Sequence, residues 1–176
     1  MHDVAQCQET KPKVMEDLRQ RKFEELLESH AGIVYKVANT YCWHPDDRAD
    51  LMQEIVVQLW RAWPRYDAAR TFSTWMYRIG LNVAISFVRK EVRHRQVSVP
   101  LDETLHDVAT TANSGPGNHL QRLQSFIERQ APLDRALLLL YLEDKSQREI
   151  ADILGITQTN VSTKISRLKQ KIRAEL

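Results

Sequence analysis

The segment Ser146–Arg173, SQREIADILGITQTNVSTKISRLKQKIR, constrains the chain most tightly. Ser146 followed three residues later by Glu149 is the pattern in which a hydroxyl and a carboxylate satisfy each other's helix-start amides. Ile150, Ile153 and Leu154 then share one inward face. Gly155 follows at once, where a residue that accepts left-handed backbone ends a helix, and Ile156 plugs the turn. A second helix begins at Thr157 or Gln158 and carries Val161, Ile165, Leu168 and Ile172 on one narrow stripe. Two apolar faces joined by so short a turn must pack on each other, which makes a helix-turn-helix.

The far side of the second helix is unusual. At about 100° per residue, Thr159, Thr163, Ser166 and Gln170 point directly away from the stripe. Asn160 and Arg167 flank them on one side, Ser162 and Arg173 on the other. A solvated helix face normally uses long Glu and Lys pairs, yet no acid occurs here before Glu175. Thr, Ser and Asn are mediocre helix formers, so propensity does not explain them. Short hydroxyls and an amide can approach base edges while cations reach phosphates. A second helix lying in the DNA major groove accounts for the whole pattern; the plainer reading is a helical hairpin with a polar surface.

Long periodic segments and only five glycines in 176 residues point to an all-helical chain. Met1–Lys13 is polar and predicts a frayed end. Periodicity runs from about Val14 to His44, with Leu26, Ile33, Val34, Val37 and Tyr41 as its apolar stripe. A second helix runs from Asp47 to about Trp63, with Asp46 and Asp47 at its positive end and Pro64 as its stop. A third follows Thr71 or Ser73 and continues through FSTWMYRIGLNVAISFVRKEVR. Gln96–Asn118 holds Pro100 and Asn113-Ser114-Gly115-Pro116-Gly117 and shows no helical period. Its 23 residues are too many for a connection inside one compact domain. Four helices follow: His119–Gln130, Leu133–Glu143, Ser146–Leu154 and Thr159–Arg173. The expected architecture is all-α: two small helical domains, 14–95 and 119–176, joined by a flexible linker, 96–118. The second is a four-helix domain ending in the helix-turn-helix.

Net charge is only +2, but its distribution is uneven. Thr157–Leu176 has five Lys or Arg and one acid, and Arg89–Arg95 has four and one; Gln96–Asn118 has three acids and no Lys or Arg. Two basic patches flank an acidic stretch, and local patches set the field that a polyanion meets. The longest apolar run, Ala136–Leu142, is far shorter than the ~20 residues a bilayer span needs. The polar N-terminus lacks a secretory apolar region. Cys7 and Cys42 form no CxxC, which suits reduced thiols in the cytoplasm.

The helix Asp47–Trp63 has two apolar sides. Leu51, Ile55, Leu59 and Ala62 make one; Val56, Val57 and Trp60 make the other, bordered by Asp50, Gln53 and Glu54. Such a helix is either central in a bundle or covered by another protein on its second face. Periodicity leaves both open. In Thr71–Arg95, Phe72, Trp75, Met76, Tyr77 and Phe87 stand near a basic tail. They read either as core beside a solvated end or as a stacking surface for unpaired bases.

The order DLMQEIVVQLWRAWPRYD, then FSTWMYRIGLNVAISFVRKEVR, then a linker, then SQREIADILGITQTNVSTKISRLKQKIR resembles the extracytoplasmic-function (ECF) group of bacterial sigma factors. The match spans about Phe23 to Ile172. The D-L-x-Q-E-(x5)-W pattern and the EIA-x-x-LGI turn carry it together. The resemblance implies a transcription initiation factor whose partners are core RNA polymerase, promoter DNA as duplex and as melted non-template strand, and an anti-sigma factor. It implies that Asp50, Leu51, Gln53, Glu54, Val57 and Trp60 dock on the polymerase. Trp75, Tyr77, Asn82, Ser86, Arg89, Lys90 and Arg93 would then face the minus-ten element. Thr159, Asn160, Thr163, Lys164, Ser166 and Arg167 would read the minus-thirty-five element, and the acidic linker would occupy a basic channel of the polymerase. Two departures stand out. Many members carry an acid where this chain has Ser86, and Asn160-Val161 replaces a commoner Thr-Val or Ala-Val pair.

A stand-alone helix-turn-helix regulator is the alternative, and an adaptor that binds only protein is a third. The two-patch layout and the double-faced helix disfavour the first of these; the acid-free face disfavours the second. Nothing in the sequence predicts an enzyme, a cofactor or a metal site. There is no glycine-rich phosphate loop, the six histidines are scattered, and Cys42 and His44 lack partners at ligand spacing. No membrane insertion is expected.

Overall fold

The computed structural model describes the backbone of residues 6–97 and 116–175, and the side chains of 15–90 and 122–175. Every regular element among them is helical: α1 Gln6–Ser29, α2 Ala31–Tyr41, α3 Pro45–Ala62, a 3-10 turn Trp63–Arg65, α4 Phe72–Val97, α5 Pro116–Glu128, α6 Pro132–Leu142, α7 Gln147–Leu154 and α8 Gln158–Glu175. The chain is all-α, built as two small helical domains.

Several boundaries differ from the sequence reading. The polar N-terminal stretch is helical from Gln6, because Gln, Glu and Lys support a helix without an amphipathic pattern. The single period Val14–His44 is two helices, broken at His30. The His30 ring accounts for the break: Nδ1 lies 2.9 Å from both the Leu26 carbonyl and Ser29 Oγ, and the imidazole meets Phe72 edge-on at 5.2 Å. Of the linker expected at 96–118, residues 98–115 lie outside the described residues, while 96–97 end α4 and 116–118 open α5.

In the N-terminal domain α2, α3 and α4 pack mutually. Val34, Val37, Ala38, Leu51, Ile55, Leu59, Met76, Leu81 and Ala84 fill the space between them. Trp63 closes one end, its ring within 6.2 Å of those of Phe23, Tyr66, Phe72 and Trp75, and its Nε1 donates to the Arg19 carbonyl at 3.1 Å. In the C-terminal domain α6 and α7 pack on α8, around Phe126, Leu137, Leu140, Ile150, Ile153, Val161 and Ile165.

The two domains also touch. α7 lies on α4, and α6 on α2 and α4. The docking nevertheless leaves Val57 and Trp60 on the surface, each 41% exposed, and all of Thr159–Asn160, Ser162–Thr163 and Ser166–Arg167 open.

Candidate nucleic-acid and polymerase interface

The helix-turn-helix is built as its sequence requires. Ser146 Oγ accepts from the Glu149 backbone amide at 3.2 Å, and the Glu149 carboxylate accepts from the Ser146 amide at 2.9 Å and from its hydroxyl at 2.7 Å. The Ser146 hydroxyl and amide hold the Glu149 carboxyl below its ordinary range, with Lys145 adding to them. Gly155 adopts φ +67°, and the amides of Gly155 and Ile156 both return to the Ala151 carbonyl. Thr157 opens α8, its hydroxyl accepting from the Asn160 amide at 3.2 Å.

On α8, Val161, Ile165 and Leu168 are buried and Ile172 is half-buried, so the outward face is fixed. Thr159, Asn160, Thr163, Ser166 and Arg167 all stand exposed on it. The Thr163 hydroxyl donates to the Thr159 carbonyl at 2.9 Å, which orients it and leaves its lone pairs outward. Lys164 is placed differently from the others: it is half-buried, and its ammonium lies 3.3 Å from Asp134 on α6. That pairing braces α8 against α6.

The α3 face resolves the two readings of that helix. Leu51, Ile55 and Leu59 are sealed in the core, while Asp50, Gln53, Glu54, Val57 and Trp60 face solvent. Leu51, expected among the docking residues, is 0% exposed in the core and anchors the helix that presents the others. Trp60 is steadied by Phe23, whose ring meets it edge-on at 5.1 Å.

Across from this face, α4 supplies the second wall of an open groove of about 710 Å³. Asp50, Gln53, Glu54, Val57 and Gln58 line one side; Asn82, Val83, Ser86, Phe87 and Lys90 line the other. Four of the residues expected to meet polymerase (Asp50, Gln53, Glu54, Val57) and three of those expected to meet the minus-ten element (Asn82, Ser86, Lys90) thus share one groove. It has carboxylates on α3 and a cation on α4. Arg89 is exposed close by, and the side chain of Arg93 lies outside the described residues. Gln58 and Val83 were not singled out by sequence, because a helical period places them on a helix but not opposite one another.

Two aromatics expected near opened DNA are placed elsewhere. Trp75 is half-buried among Trp63, Tyr66 and Phe72. Tyr77 is 2% exposed, and its hydroxyl donates to Glu143 of α6's C-cap at 3.2 Å. Burial, then the Glu143 charge and the hydrogen bond to it, push the Tyr77 phenol far above its usual range. In this arrangement Tyr77 is core, covered by the other domain.

Both halves of the chain match known sequence families. Residues 26–94 match the model of sigma-70 region 2, and residues 120–172 that of sigma-70 region 4. This chain belongs to the ECF group of the sigma-70 family. Over 86% of its length it is 28% identical to the ECF RNA polymerase sigma factor SigE of Mycolicibacterium smegmatis, of which it spans 60%. It is 29% identical to the RNA polymerase sigma factor CnrH of Cupriavidus metallidurans over 89% of its length and 87% of that protein. Two solved structures share the fold. One is CnrH in complex with the cytosolic domain of CnrY, with TM-score 0.63, 24% identity and coverage of 88% and 87% of the two chains. The other is the sigma factor RpoE with the anti-sigma factor NepR from Bartonella quintana, with TM-score 0.69, 18% identity and coverage of 88% and 96%. Among the described residues no helix is long and apolar enough to cross a membrane, and no three His, Cys, Asp or Glu side chains gather as a metal site.

Proposed function

We propose that this sigma factor works through three surfaces on its two domains. The side of α3 carrying Asp50, Gln53, Glu54, Val57 and Trp60 docks on core RNA polymerase. The facing wall of α4, through Asn82, Ser86, Arg89, Lys90 and Arg93, takes the melted non-template strand of the minus-ten element. The outward face of α8, through Thr159, Asn160, Thr163, Ser166 and Arg167, reads the minus-thirty-five duplex. Residues 14–95 and 119–176 serve as the two functional units, with 96–118 between them. The observation that carries this reading is the placement of an apolar, acid-rimmed surface on α3 and an acid-free polar surface on α8, on different domains and both open.

The division of labour follows from chemistry. Exposed Val57 and Trp60 gain from leaving water, while Asp50 and Glu54 fix orientation as a charged rim does. On the α4 wall, Lys90 attracts phosphate, and the Asn82 amide and Ser86 hydroxyl can meet the Watson–Crick edge of an unstacked base. Unstacking costs a few kcal/mol, which contacts in the groove offset. On α8, Thr and Asn side chains reach base edges and Arg167 reaches phosphate. The chain performs no bond chemistry; the polymerase does. Its place is the cytoplasm, and an anti-sigma protein controls it by covering the α3 surface.

Affinity capture on core polymerase, followed by transcription from a promoter selected out of a random library, tests the assignment. Stable capture and promoter-dependent transcripts are expected. Duplex binding without polymerase binding would instead identify a stand-alone regulator.

A further inference from the structure

The contact between the domains is polar and specific. Glu143, at the end of α6, accepts from Lys36 Nζ of α2 at 2.6 Å and from the Tyr77 hydroxyl of α4 at 3.2 Å. Tyr41 at the end of α2 donates its hydroxyl to the Pro132 carbonyl at the start of α6, at 2.6 Å. The Arg135 guanidinium lies 6.0 Å above the Tyr41 ring. Both ends of α6 are thus clasped by the N-terminal domain.

Geometry sets this docked form against promoter binding. Elements nominally 25 base pairs apart lie about 85 Å apart along B-form DNA, at ~3.4 Å per pair. A compact chain of 176 residues has a radius of gyration near 16 Å, hence a width of about 40 Å. One docked molecule cannot place α4 on one element and α8 on the other. Furthermore, α7, the helix that crosses the DNA backbone in a helix-turn-helix, has α4 packed on it.

We propose that the docked form is a closed, promoter-incompetent state of the free chain, and that Glu143 is its latch. The latch holds two donors from two helices of the other domain, so one side chain sets the closed-to-open balance. Opening frees the α7 flank and uncovers Tyr77. The inference that the closed form cannot engage a promoter rests on the function proposed above; the latch itself does not.

Energy transfer between dyes on the full-length chain tests it. Cysteines replace exposed Glu24 and Ser125, and Cys7 is changed to serine; Cys42 is buried and stays. The parent chain should show a high-transfer population. Glu143→Lys, which sets two ammonium groups against each other, should shift most molecules to low transfer at unchanged helicity by circular dichroism. The exchange Lys36→Glu with Glu143→Lys should restore high transfer. Core polymerase with promoter DNA should drive the parent chain to low transfer. A parent chain without a high-transfer population, or a Glu143→Lys chain with the parent's transfer, overturns the latch. If the dyes respond in the free chain but polymerase and promoter bind only the high-transfer form, the latch stands and the incompatibility argument is wrong.

Discussion

Replacing Val57 by aspartate should separate polymerase docking from folding. Val57 is 41% exposed, so more than half of its surface is already covered within the protein. Full burial of a valine contributes ~1.5–3 kcal/mol, and covering the remaining two fifths by a partner is worth about 1 kcal/mol. A carboxylate carried into the same contact is left unpaired, at a further cost of ~2 kcal/mol or more. It would also stand one helical turn from Glu54, adding like charge. The sum, about 3 kcal/mol, corresponds to a roughly 150-fold weaker dissociation constant for core polymerase. Stability should fall by about 1–2 kcal/mol, the share of the valine's burial already made within the protein, a loss that a thermal melt reads apart from docking. Adding Trp60→Ala removes a ring also 41% exposed; of its ~250 Å², about 100 Å² lies open, worth ~2.5 kcal/mol more at 25 cal/mol per Å². Anisotropy titration of dye-labelled variants with core polymerase reads these losses, and the affinity of each variant for duplex DNA is the control. Unchanged polymerase affinity, or an equal loss of duplex affinity, would refute the assignment of this surface.

Four further outcomes are expected. Arg167→Ala should weaken upstream-duplex binding and reduce the slope of log affinity against log salt by ~0.9; an unaltered slope means that Arg167 meets no phosphate. Thr163→Ala should change preference at one promoter position by ~1–3 kcal/mol, and uniform loss across sequences would contradict base reading. The two glycines should respond oppositely to alanine in thermal melts. At Gly80 a Cβ would sit 3.6 Å from Ile55 in ordinary contact, so the helix should gain up to ~1 kcal/mol; at Gly155 the φ of +67° should cost ~1–2 kcal/mol. Equal signs would show that backbone conformation is not what decides them. Because Glu149 is held below its ordinary range, its contribution is present at neutral pH and fades as pH falls through that range. The difference in melting temperature between the parent and Ser146→Ala should therefore shrink below about pH 4, and a constant difference would break the link to the carboxylate.

Local signals carried most of the helix-turn-helix. A cap, a glycine and a stripe each act within a few residues, so Ser146, Glu149, Gly155 and the Val161–Leu168 stripe were all legible before any coordinates. The exposed α8 residues followed from that stripe by rotation alone. Lys164 escaped the same logic because its partner, Asp134, is thirty positions away in sequence. The α3 helix was half legible: its two apolar sides were evident, but only packing decides which is covered. Leu51 lay on the covered side, although the resemblance implied a docking role for it. Trp75 and Tyr77 were the least legible, since an aromatic suits a core and a base stack equally well. Their fate depends on Trp63, Tyr66 and Glu143, which come from other elements. The break at His30 was hidden too, because apolar spacing continues across it while hydrogen bonding does not.

The central claim is that two separate surfaces of one chain meet two separate stretches of promoter, one of them opened. Footprinting of the polymerase–promoter complex with permanganate probing of unpaired thymines tests it most directly. The account predicts two protected patches about 25 base pairs apart, with reactive thymines only in the downstream patch, and loss of upstream protection with Arg167→Ala. A single protected patch with no reactive thymines would contradict it.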